Sequence, residues 1–129
     1  MARVIICDDD QASAEELAAA LRAVKHDATT SVHMMDVLRE AAEGRFDLVA
    51  FGLDQAGFSN EHAIEVMQEV APQVSVIGFH RRPSDFLRLA CDARLAAVLP
   101  RPVSATIFLY AVARALESQR ANAPALQPA

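Results

Sequence analysis

Lysine is almost missing from this sequence: of 12 basic residues only Lys25 is a lysine, and the formal net charge over 129 residues is -5. Such a chain has no broad basic field to hold a phosphate backbone, so nucleic acid is not expected as a partner. No apolar stretch reaches 18 residues, which excludes a hydrophobic transmembrane helix, and no membrane partner is expected. The opening "MARVIICDDD" has only four consecutive apolar residues before three aspartates, too few for a secretory signal. A cytoplasmic location is the resulting expectation. The two cysteines, Cys7 and Cys91, form no C-x-x-C and lie near no histidine cluster; they read as buried thiols in a reducing compartment. His26, His33, His62 and His80 lack the i, i+4 spacing of helical metal ligands, and His80 reads as an exposed loop residue. There is no G-x-G-x-x-G after the first apolar run, no P-loop lysine and no Ser-His-Asp set, so the chain is not expected to be an enzyme.

What is present is a chain of one-domain size, 53% apolar and 22% charged, a balance that supports a folded core. Apolar runs of strand length occur at Val4 to Cys7, Leu48 to Phe51, Val74 to Ile77 and Ala96 to Leu99, with a weaker one at Ala28 to Val32. Helical spacing fills the intervals. Ala14, Leu17, Leu21 and Val24 share one face, with Asp10 as the cap. A second helix runs from Met35 to Glu43 and stops at Gly44. A third, capped by Ser59 or Asn60, turns Ile64, Met67 and Ala71 inward before Pro72. A fourth begins at Ser84 with Phe86, Leu89 and Ala90 inward, and a fifth spans Ser104 to Gln119. Nearly continuous apolar strands alternating with helices predict an α/β fold, a parallel sheet covered on both faces, with chemistry at the carboxyl ends of the strands. The domain is expected over residues 1–119, and the Ala- and Pro-rich 120–129 reads as a tail or linker.

The strand ends carry the functional signal. Asp8, Asp9 and Asp10 follow the first strand; Asp10 is accounted for as a cap, but Asp8 and Asp9 repel one another unless a cation lies near. Together "VIICDDD", "DLVAFGLDQAG" and "AAVLPRPVS" resemble the receiver domain of two-component response regulators over residues 3 to about 118. The resemblance implies a flavodoxin-like (βα)5 sandwich of strand order 2-1-3-4-5. It also implies a protein partner in phosphorelay signalling, such as a histidine kinase or an output protein. The active set that it implies is degenerate. The phosphoacceptor position falls on Gly52, the motif proline on Ala56, the hydroxyl position on Gly78, the switch aromatic on Val98, and the lysine on Arg101, followed by Pro102 in a peptide that the family typically holds cis. Phe79 falls where a small residue is usual, and its ring is expected over the mouth of the site. A hydrogen atom cannot attack phosphorus.

Asp54 lies two residues past Gly52, on the same side of a continued strand but about 6.6 Å farther along. Magnesium demands ligands at about 2.0–2.1 Å, so a working site there requires the loop to fold back. Arg101 is long enough to enter the space beside the acids and is expected to pair with Asp9, or with both Asp8 and Asp9.

Three readings follow. The leading one is a pseudo-receiver that signals by phosphorylation-independent protein contact, with no cofactor. The second is a phosphorylatable receiver using Asp54, with Mg2+ at Asp8 and Asp9. The third is a small-ligand sensor at the altered mouth. The uncharged segment "IFLYAVA" is apolar nearly all round; with Ile107, Ala111 and Phe108 toward the sheet, Leu109, Tyr110 and Ala113 form an outward patch. Phe108 also borders that patch, and Arg81, Arg82, Arg88 and Arg94 cluster beside it. A homodimer or target contact through the face of the fourth helix, fifth strand and fifth helix is expected there, with Arg88 at its edge.

Overall fold

The computed structural model describes residues 1–53, 60–80 and 92–122. Five strands, β1 (Arg3–Cys7), β2 (Asp27–Ser31), β3 (Leu48–Gly52), β4 (Ser75–His80) and β5 (Ala97–Pro100), form one parallel sheet of order β2-β1-β3-β4-β5. The helices α1 (Gln11–Ala23), α2 (Met34–Ala42) and α3 (Asn60–Val70) connect them, and a C-terminal helix (Ala105–Asn122) closes the chain. This is the predicted order and topology. The C-terminal helix runs three residues into the segment read as a tail. The fourth helix predicted from Ser84, with Arg81, Arg82, Arg88 and Cys91, lies outside the described residues, as does Asp54.

Side-chain alternation along the strands divides the core in two. Val4, Ile6, Leu48, Ala50, Ile77 and Phe79 pack under α1 and the C-terminal helix; Ile5, Cys7, Val49, Phe51 and Val76 pack under α2 and α3. Because β1 and β3 are covered on both faces, Val4 to Cys7 and Leu48 to Phe51 read as unbroken apolar runs. Asp10 caps α1 as predicted, its Oδ1 accepting from the Ser13 N–H at 3.1 Å. Gly44 ends α2 with φ +78°, a left-handed turn that glycine adopts without steric cost. Val24, predicted on the buried face of α1, is instead the C-cap and half exposed, because the helix stops before its turn reaches the sheet.

At the amino ends of the strands Arg3 donates to Asp47 from its backbone N–H at 2.8 Å and from its guanidinium at 3.3 and 3.4 Å. Burial pushes the Asp47 carboxyl up, but the hydrogen bonds and charge of Arg3, with the N-terminal ammonium, outweigh it and hold its pKa below the ordinary value. A carboxyl lowered on folding stabilises the native state above its unfolded pKa, and that contribution disappears as pH falls through the folded pKa. Since both side chains are substantially exposed, Arg3→Ala is expected to cost at most about 1 kcal/mol at pH 7. In urea unfolding the difference should vanish at a pH below the folded pKa of Asp47.

Candidate functional site

The carboxyl ends of β1, β3, β4 and β5 bring Asp8, Gly52, Gly78, Phe79 and Arg101 to one mouth. Asp8 continues the ladder of β1, its N–H donating to the Ser31 carbonyl at 3.1 Å, so it points to the same side as Val4 and Ile6. Arg101 follows β5 directly, and its N–H donates to the His80 carbonyl at 2.9 Å. From there its guanidinium reaches Asp8 with both arms, Nη1 to Oδ2 at 2.7 Å and Nη2 to Oδ1 at 3.2 Å. Asp8 is 1% exposed and the Arg101 side chain 8%, making this a buried, two-pronged ion pair. Asp8 Oδ1 also accepts from the Asp10 N–H at 3.1 Å.

The expected pairing is therefore corrected in its partner. Arg101 takes Asp8, whereas Asp9, one residue on, stands exposed. The Arg101-Pro102 peptide is cis, as the family pattern implies.

The two glycines at the mouth do different things. Gly52 ends β3 opposite Phe79 in the parallel register. Gly78 pairs with Phe51 and faces the α2/α3 side, where the side chain of Leu53 lies on its Cα: a Cβ at 78 would meet Leu53 Cδ1 at 2.5 Å and Cγ at 2.7 Å. Leu53 is buried and its N–H donates to the Phe79 carbonyl at 2.8 Å, so the β3–β4 ladder runs one residue past Gly52. Where a receiver is expected to carry a hydroxyl, an isobutyl group fills the space. Sequence reasoning missed Leu53, although the alternation Val49, Phe51, Leu53 carried the signal.

Phe79 lies on the same side of the sheet as Val4 and Ile6. Its ring turns into the α1 side and meets Phe108 edge-on, with centroids 5.7 Å apart and planes at 64°. The Arg101 guanidinium carbon lies 5.8 Å from the centre of the Phe79 ring, within cation–π range. Val98 is buried. His80, read from sequence as an exposed loop residue, is the last residue of β4 and 3% exposed, because the strand extends three residues beyond the predicted Ile77.

The site suits an internal ion pair better than a divalent cation. Both oxygens of Asp8 are engaged, the neighbouring β3 ends in Gly52 without a carboxylate, and among the described residues no group of three or more His, Cys, Asp or Glu could hold an ion. A groove of about 910 Å³ lies at the opposite end of the sheet, lined by Arg3, Phe46, Asp47, Ser75, Arg94 and Gln119.

On the C-terminal helix, Phe108, Ala111 and Val112 are buried, so Phe108 belongs to the core and not to a surface patch. Ile107, predicted to face the sheet, is 54% exposed beside Tyr110 at 67%. Leu109 is half-buried and Ala113 exposed. The i, i+3 spacing of 107, 110 and 113 sets the outward stripe, which keeps Tyr110 and Ala113 from the predicted patch and takes Ile107 in place of Leu109.

Neither a family model nor a curated protein sequence matches the chain. Solved structures do. A response regulator receiver domain protein from Methanospirillum hungatei superposes with a TM-score of 0.82 at 17% identity, covering 94% of this chain and 98% of that one. A response regulator receiver domain protein from Clostridium thermocellum gives 0.83 at 18% identity, covering 94% and 98%. The receiver domain of Nitrogen Regulatory Protein C gives 0.79 at 21% identity, covering 92% and 97%. The fold is that of a receiver. In this fold Gly52, Gly78 and Arg101 stand at the carboxyl ends of β3, β4 and β5. No described helix is long and apolar enough to cross a membrane.

Proposed function

We propose that this receiver-fold chain is a signalling domain that works by protein contact, without accepting a phosphoryl group. One observation carries the reading: Asp8, the buried acid of the mouth, is held by both arms of Arg101, with Gly52 at the end of the neighbouring strand. A phosphoryl acceptor needs an oxygen nucleophile and charge neutralisation beside it. Here the carboxylate is missing from β3 and the neutralising charge is already spent on Asp8. With no covalent modification to bias two states, regulation falls to partner binding.

Incubation with acetyl phosphate and Mg2+, followed by intact mass measurement, is expected to leave the mass unchanged. A stoichiometric adduct that disappears in Asp54→Ala would replace this reading by a switch relocated to Asp54.

The contact is assigned to the outward stripe of the C-terminal helix, where Ile107 and Tyr110 expose apolar area. Self-association through it is expected as a mass in light scattering that rises with concentration and falls to monomer in Ile107→Glu/Tyr110→Glu. A concentration-independent monomer in the native chain would remove the second copy, leaving a kinase or output protein as the occupant.

A further inference from the structure

We propose that Arg101 is the resident counter-ion of the acidic mouth: its guanidinium keeps divalent cations off Asp8, and its removal turns the same pocket into a divalent-cation site. The inference rests on the reading of the mouth given above and extends it from phosphoryl chemistry to ion binding.

Occupancy is the first argument. Asp8 is 1% exposed; its Oδ2 takes Nη1 at 2.7 Å, and its Oδ1 takes both Nη2 at 3.2 Å and the Asp10 N–H at 3.1 Å. A carboxylate offers about four lone-pair sites in all, so three of the four are used. Charge is the second. Guanidinium remains protonated across the range in which proteins fold, so it does not release Asp8 by titration, and a second cation within a few ångströms is repelled. Support from behind is the third. The guanidinium lies 5.8 Å from the Phe79 ring centre and the Arg101 N–H is bonded to the His80 carbonyl, so an arriving ion has to break several contacts to displace it. Once the arginine is gone, the Asp8 positions that took Nη1 and Nη2 are open and Asp9 follows in the chain; magnesium-like ions commonly use one or two carboxylates and keep several waters.

The probe is Mn2+, followed by water-proton relaxation and by thermal unfolding, on the native chain, Arg101→Met, Arg101→Gln and Asp8→Asn/Arg101→Met. The native chain is expected to show no saturable binding and no Mn2+-dependent rise in Tm. Both single variants are expected to bind at least about tenfold more tightly, the minimum from removing a unit positive charge a few ångströms from a divalent ion. Their Tm should rise with Mn2+. The double variant should lose both effects. A single variant too unstable to fold alone still reports, because Mn2+-dependent folding that is absent from the double variant supports the proposal.

Saturable Mn2+ binding by the native chain, abolished by Asp8→Asn, would overturn the inference, as would single variants that gain nothing. Neither result touches the phosphorylation reading, which stands or falls on the mass measurement alone.

Discussion

Truncating Arg101 to alanine is expected to destabilise the domain by about 3–5 kcal/mol, the usual cost of leaving one member of a buried ion pair without its partner. Asp8 is too deeply placed for water to replace the lost donors, so its carboxylate is left buried without its partner at a desolvation cost. Asp8→Ala should cost a similar amount by stranding the guanidinium against Phe79. Replacing both together is a different matter. Asp8→Leu/Arg101→Met removes two buried charges at once, and apolar substitution of such pairs commonly ranges from neutral to about 1–4 kcal/mol stabilising. Urea unfolding at pH 7 of the four proteins closes a double-mutant cycle. Single losses below about 1 kcal/mol would show that solvent screens the pair and that the mouth is more open than its geometry implies.

The second large effect belongs to Leu53. Leu53→Ala is expected to cost about 2–5 kcal/mol, since the side chain is fully buried and the notch over Gly78 would be left empty. Gly78→Ala alone should cost about 1–3 kcal/mol, because the new methyl would meet Leu53 Cδ1 at 2.5 Å and Leu53 would have to rotate away. Together the two changes should cost less than their sum, the methyl added at position 78 occupying part of the space that Leu53 vacates. Strict additivity would mean that something other than Leu53 limits the size of residue 78. The same contact means that introducing a hydroxyl by Gly78→Thr is expected to be tolerated only with Leu53→Ala.

The architecture was legible because three signals agreed. Val4 to Cys7 and Leu48 to Phe51 are apolar without alternation, which only a doubly covered parallel strand requires. Asp10 and Gly44 mark helix limits by local chemistry that tertiary packing did not override. Gly52 and Gly78 could be placed at strand ends from the sequence. What surrounds them could not, because that is a property of neighbours across the sheet. Leu53 reaches Gly78 through the β3–β4 register. Asp8 is the acid that continues the β1 ladder and is buried, while Asp9 is exposed. The same limit explains Ile107, which is apolar at a plausible position while the side it takes depends on a phase of one residue that a short run such as "IFLYAVA" does not fix.

Asp8 and Arg101 are 93 residues apart along the chain. Loops of that span close late, after the intervening strands have found their places, so the ion pair adds little to the rate-limiting encounter of folding. Its weight falls on the return journey. Loss of either member should leave the refolding limb of a chevron nearly unchanged and raise the unfolding limb, making this contact a determinant of how long the native state survives, not of how fast it is reached.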